Sequence, residues 1–129
     1  MIRESYAIHG KVFLDVNITD GQFDAPDDSD GAYEFYQARG VITMDTTGSP
    51  MGDLGIVAIV PIGMCQVSSV NMIATPGTIV PKGEEFGYFL FGGSDIIVLF
   101  QEGAAPKLCT QTDYLHYGEF IAWCKLKGA

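Results

Sequence analysis

Pro76–Gly87 reads PGTIVPKGEEFG, and its composition sets two tight turns around a very short extended segment. Pro76-Gly77 and Pro81-Lys82-Gly83 are turn chemistry, because proline presets φ and glycine accepts the left-handed region. Apolar runs lie on both sides. Downstream, Tyr88–Leu90 and Ile96–Phe100 are apolar strands around Gly92-Gly93. Upstream, residues 54–62 (LGIVAIVPI) form a nearly continuous apolar run, the mark of a strand buried on both faces, and Met64–Thr75 is again rich in Val and Ile. Residues 33–45 (YEFYQARGVITMD) read as one or two strands with Gly40 as a bulge or break. Residues 10–18 (GKVFLDVNI) alternate like a half-buried strand. Thr46–Asp53 is a glycine–proline turn, and Tyr117–Lys127 is a last strand or a short helix. No segment sustains helical periodicity and no internal repeat stands out. The expected fold is all-β, a barrel or sandwich with at most short helices, formed by residues 1–129 as a single domain.

Composition limits what such a domain can do. The chain has 129 residues, 16 acidic and 7 basic side chains and a formal net charge of −9. Such a surface repels nucleic acid phosphates and anionic lipid headgroups, so neither is expected as a large partner, and a small amine is electrostatically compatible. No apolar run is long enough for an integral membrane span and no secretory leader precedes the first strand, so a cytoplasmic location is expected. Cys65, Cys109 and Cys124 are odd in number and contain no CxxC pair, which argues for buried, reduced thiols and against a metal centre. The loop FDAPDDSDG (residues 23–31) has acids at the wrong spacing for an EF-hand and reads as a solvated acidic loop.

Chemistry concentrates in residues 86–100, FGYFLFGGSDIIVLF. On local composition Gly-Gly-Ser is a hairpin turn between two buried strands. The aromatics Phe86, Tyr88, Phe89, Phe91 and Phe100 are expected in the core, part of them lining an apolar pocket. A longer pattern carries more information. Val80, Lys82, Gly83, Glu84, Glu85, Gly87, Phe89, Phe91, Gly92, Gly93 and Ser94 stand in the order V-x-K-G-E-E-x-G-x-F-x-F-G-G-S, with IGMCQVSSVNM (residues 62–72) upstream. This resembles the C-terminal signature of phosphatidylserine decarboxylase proenzymes and their amino-acid decarboxylase relatives, most clearly over residues 54–103. The pattern from Gly77 to Glu84 is also similar to the turn–strand–turn of lipoyl- and biotinyl-type domains, and these likenesses imply an all-β barrel-sandwich.

The resemblance implies self-cleavage between Gly93 and Ser94. The Ser94 hydroxyl attacks the Gly93 carbonyl, the amide becomes an ester, elimination gives dehydroalanine, and hydrolysis leaves a pyruvoyl group at the head of the C-terminal piece. A pyruvoyl cofactor derived from Ser94 then forms a Schiff base with a substrate amine and accepts the electrons released with carbon dioxide. The implied substrate is a small amine-bearing carboxylate or phosphatidylserine.

Two departures stand out. Asp95 follows the serine where the family has threonine, beside a developing oxyanion. Setting Gly10 on the glycine of the family's H-x-P-x-x-G segment puts Ser5 and Ala7 at the histidine and proline positions, and only nine residues precede Gly10. A fragment of a longer proenzyme, a degenerate paralogue and a member with a substitute base all remain open. His9, His116 and Asp95 are the available substitutes, with His9 the first choice. The rival reading is an uncleaved, non-catalytic barrel-sandwich binding module. A lipoyl- or biotinyl-type carrier is disfavoured because Lys82 lies in a turn and not at a hairpin tip. Edge strands in so small a β domain point to a homo-oligomer.

Overall fold

The computed structural model describes residues 1–10, 15–16, 23–24, 36–64, 67–109 and 114–126. Among them the elements are β1 (Ile2–Ile8), β2 (Asp15–Val16), β3 (Phe23–Asp24), β4 (Arg39–Asp45), β5 (Ile56–Pro61), β6 (Val70–Met72), β7 (Gly87–Phe89), β8 (Ile96–Phe100), β9 (Lys107–Leu108) and β10 (Ala122–Trp123). The fold is all-β. A four-stranded antiparallel sheet runs β1-β4-β5-β8, accompanied by the two-stranded ladders β2-β3, β6-β7 and β9-β10. No sheet closes into a barrel among the described residues, so the sandwich half of the expected architecture is the one present.

The alternation of the strands selects the core. Ile42 opposes Ile59 and Met44 opposes Val57, while Ile59 opposes Val98 and Pro61 opposes Ile96, which places these side chains on one face of the sheet. The β6–β7 ladder covers part of that face. Ile2, Ile42 and Ile62 are fully buried. Two backbone bonds tie the strand start to the Pro76-Gly77 turn: the Ile2 N–H donates to Thr78 O, and the Gly77 N–H donates to Ile2 O, both at 2.8 Å.

Several expectations change here. Both turns of Pro76–Gly87 exist, the second closed by the Glu84 N–H donating to Pro81 O at 3.1 Å, but residues 78–80 between them form no strand. Gly40 is neither bulge nor break. It pairs in register with Ala7, and the irregularity falls in β1 between Ile2 and Glu4. The glycine serves packing, because a Cβ there would stand 2.3 Å from Met72 Sδ. The strand β1, with Arg3 and Glu4 among its residues, has too weak an apolar alternation to announce itself. The continuous run at β5 is only half-buried along most of its length. The last segment resolves into the short strand β10. Cys109 is exposed and Cys124 half-buried, against the expectation of buried thiols. Cys65, the acidic loop beyond β3 and most of the alternating run from Gly10 to Ile18 lie outside the described residues.

Candidate active site

The Gly92-Gly93-Ser94 segment is not a hairpin. The strand before it, β7, pairs with β6, and the strand after it, β8, pairs with β5, so the segment is a bridge between two ladders. Bridging turns the chain sharply. Phe91 has φ 67° and Gly92 φ 137°, both in the region that side chains resist. Phe91 stores strain of about 1–3 kcal/mol by this conformation, and it also lies 89% exposed, contrary to its expected place in the core. Tyr88 is likewise exposed, while Phe86, Phe89 and Phe100 are half-buried.

Past the strained pair, Gly93 has open space around it, with nothing within 4 Å of where a Cβ would stand. Ser94 is the reverse. Its Oγ is sealed from solvent and has no hydrogen-bond partner among the described residues. An orphaned hydroxyl of this kind costs about 1–3 kcal/mol, so its retention calls for a use. The next residue is fixed, because the Ile62 N–H donates to Asp95 O at 2.9 Å.

The two sequence segments that carried the resemblance meet at this point. Val70, Asn71 and Met72 pair with Phe89, Tyr88 and Gly87. Val67 approaches Gly92, with its Cγ2 3.4 Å from a Cβ placed there. Ile62, Val67 and Val70–Met72 therefore all contact the bridge or the strand that leads into it. This contact is long-range, and no local signal in the sequence points to it.

Two concavities lie along the strands that flank the bridge, and the bridge itself lines neither of them. A small one of about 80 Å³ is lined by Pro61, Asn71, Phe89 and Ile96 among others. A wider cleft of about 840 Å³ has Met44, Met51, Leu54 and Ile59 on its apolar side and the Lys82–Glu85 turn on its polar side, with Tyr117 alongside. Phe86 and Gly87 line both, so the two are neighbours.

His9 shares an end of the sheet with the bridge without reaching it. Ile8 pairs with Arg39, Arg39 bridges to Ile62, and Ile62 bonds to Asp95. Three strand spacings separate the ends of that row, on the order of 14 Å, which is beyond direct hydrogen-bond reach. His116 is exposed on a separate turn, its ring 5.3 Å from Tyr114 in an edge contact. Ser5, at the family's histidine position, is half-buried in β1 opposite Ile42.

An all-β domain with a strained Gly-Gly-Ser bridge and an enclosed, unpartnered serine is the class that fold and site define. A sequence profile described as phosphatidylserine decarboxylase matches residues 2–122. The chain belongs to the phosphatidylserine decarboxylase family. It is 39% identical over 70 residues to phosphatidylserine decarboxylase proenzyme 2 of Oryza sativa subsp. japonica, covering 54% of this chain and 11% of that one. Against the phosphatidylserine decarboxylase proenzyme of Chlamydia trachomatis serovar L2 it is 45% identical over 49 residues, 38% of this chain and 16% of the relative. Against that of Chlamydia muridarum it is 34% identical over 65 residues, half of this chain and 21% of the relative. These alignments span about a fifth or less of each relative's length. No solved structure matches the chain.

Proposed function

We propose that this chain is the self-cleaving segment of a pyruvoyl-dependent decarboxylase, cut between Gly93 and Ser94 and acting on phosphatidylserine or another amine-bearing carboxylate. The enclosed, unpartnered Ser94 hydroxyl carries this reading. Ser94 is the nucleophile and Gly93 supplies the carbonyl, whose open surroundings leave room for the tetrahedral intermediate. Phe91, held at φ 67° two residues before the carbonyl to be attacked, stores strain close to the bond to be broken.

The residues present fit a pyruvoyl group at position 94. The group supplies an electrophilic carbonyl and an electron sink for decarboxylation. The Ser94 Oγ is closed off from solvent, and the cleft of about 840 Å³ between β4, β5 and the Lys82–Glu85 turn is within the size range of small-molecule sites. His9 can take a proton from Ser94 only through an intervening group, since the sheet holds the two apart. The names of the relatives support phosphatidylserine as the substrate.

The test is the intact mass of the denatured protein, with Ser94→Ala as control. Two pieces ending and beginning at Gly93 and Ser94, the second carrying a carbonyl, are expected, with Ser94→Ala uncut. One uncut chain under the same conditions removes the self-cleaving reading in favour of a binding module. His9→Ala is expected to keep the cleavage rate within about tenfold of the parent, because removing a base in direct contact costs roughly 10²–10⁴-fold. A larger loss would place His9 next to the serine.

A further inference from the structure

The open edge of the four-stranded sheet ends beside the enclosed serine. Strand β8 pairs with β5 alone among the described residues. Its five residues, IIVLF, carry no charge, no proline and no bulge to blunt that edge, and Ile96 to Leu99 are exposed. Two bonds fix which backbone groups face outward. The Ile62 N–H donates to Asp95 O and the Gln101 N–H donates to Ile56 O, so the odd-numbered residues bond to β5. Ile96, Val98 and Phe100 turn their N–H and C=O groups to the free side.

A second copy of the same edge fits these groups. With Val98 opposite Val98 in an antiparallel pair, Ile96 opposes Phe100 and all five residues of both strands are matched. Every other register that keeps the outward groups facing one another leaves some of the five unpaired. Carried past the strand ends, the same register sets Asp95 against Gln101 and Ser94 against Glu102, so no acid meets an acid. A two-fold axis then gives both copies the same contact. The pairing covers the backbone edge and leaves the two faces of β8 in water.

Ser94 lacks what such a partner brings. Its Oγ has no hydrogen-bond partner among the described residues, and neither histidine lies beside it. Glu102 of the same chain is no remedy, because eight residues of mostly extended backbone hold it roughly 25 Å away. Across the axis the distance collapses. Opposed residues of an antiparallel pair stand about 5 Å apart between Cα atoms, within reach of a glutamate side chain. Glu102 is exposed on the turn just past β8, closed by the Ala104 N–H donating to Gln101 O at 3.3 Å.

We propose that two copies of this chain join edge to edge through β8, and that Ser94, its Oγ turned outward about χ1, gives its proton to the partner's Glu102. The proton transfer rests on the self-cleaving reading; the pairing rests on β8 alone. As the proton passes to the carboxylate, Oγ bonds to the Gly93 carbonyl carbon and the C=O electron pair moves onto its oxygen. Collapse of that intermediate breaks the Gly93–Ser94 C–N bond, and the protonated carboxyl returns the proton to the departing nitrogen. Cleavage is thereby confined to the paired state.

Sedimentation velocity of the Ser94→Ala protein separates pairing from chemistry. A concentration-dependent dimer is expected, and Ser94→Ala/Val98→Lys, which sets two cations on the axis, should stay monomeric. A Ser94→Ala protein that is monomeric at every concentration, or a dimer that Val98→Lys leaves intact, overturns the pairing. Intact mass then times the cut. The parent should cleave faster over the concentrations at which dimers form, and Glu102→Gln should cleave roughly 10²–10⁴-fold more slowly. Mixing Glu102→Gln with Ser94→Ala decides the donor, since the second protein cannot be cut but still carries Glu102. Cleavage of the Glu102→Gln chain should return in the mixture. A rate independent of concentration, or no rescue on mixing, removes the proton transfer between copies. A parent that dimerises and is never cut fails the self-cleaving reading, and the proton transfer with it, while the pairing stands.

Discussion

Strand β8 is apolar throughout and β4 carries Arg39, Thr43 and Asp45, yet of these two strands, two places apart in one sheet, the less apolar is the better buried. Ile42 of β4 is fully buried, with β1 on one side, β5 on the other and the β6–β7 ladder over its face. Ile96 to Leu99 of β8 are exposed on both faces, Leu99 by 56%. Hydrophobicity records how much a side chain gains by leaving water. It does not record whether a neighbour arrives to take it. The central strand has neighbours from three directions, the edge strand from one.

The largest test of that contrast is truncation at matched positions. Ile42→Ala should destabilise by about 3 kcal/mol, through lost burial and the cavity left behind, whereas Val98→Ala should cost about 0.5 kcal/mol, both read from urea midpoints. Equal losses would mean that β8 is covered in solution. An intermediate effect is expected at the packing seam. Gly40→Ala should cost about 1–2 kcal/mol by pushing on Met72, and part of that should return in the Gly40→Ala/Met72→Ala double variant. Full additivity would deny the contact.

The smallest effect lies at the margin of the buried half. Asp45 is held well below the ordinary carboxylate range, first by the Thr47 N–H donating to its Oδ1 at 3.0 Å, then by the Thr47 side chain and by Arg3. A lowered folded pKa means the unfolded chain takes up the proton first. The stabilisation is therefore full above the ordinary carboxylate value and disappears as pH falls below it. Asp45→Asn should lower the melting temperature slightly at neutral pH, and the gap from the parent should close in acid.

The all-β class and the two turns around Lys82 were legible because proline and glycine act locally. Ser94 stands out as the candidate nucleophile because a long motif names it. What escaped the sequence depends on distant partners. β1 escaped because its exposed face carries Arg3 and Glu4. The bridge looked like a hairpin because apolar runs flank it, and only the pairing of β7 with β6 and β8 with β5 shows otherwise. β8 looked buried because IIVLF resembles a core strand in everything except its neighbours. The orphaned state of the Ser94 hydroxyl has no sequence signature at all, since it is a statement about what surrounds the atom.

The bridge between two ladders has a consequence for molecularity. A cut at Gly93–Ser94 leaves β7 on one polypeptide and β8 on the other, and β8 stays in place through its antiparallel register with β5, from Val57–Phe100 to Pro61–Ile96. The bond from the Ile62 N–H to Asp95 O and the seat of Leu126 beside Gly52 add to the attachment. The cut protein is then a non-covalent heterodimer within one fold. Its unfolding midpoint rises with protein concentration, and its two pieces, once separated, must find each other again by diffusion.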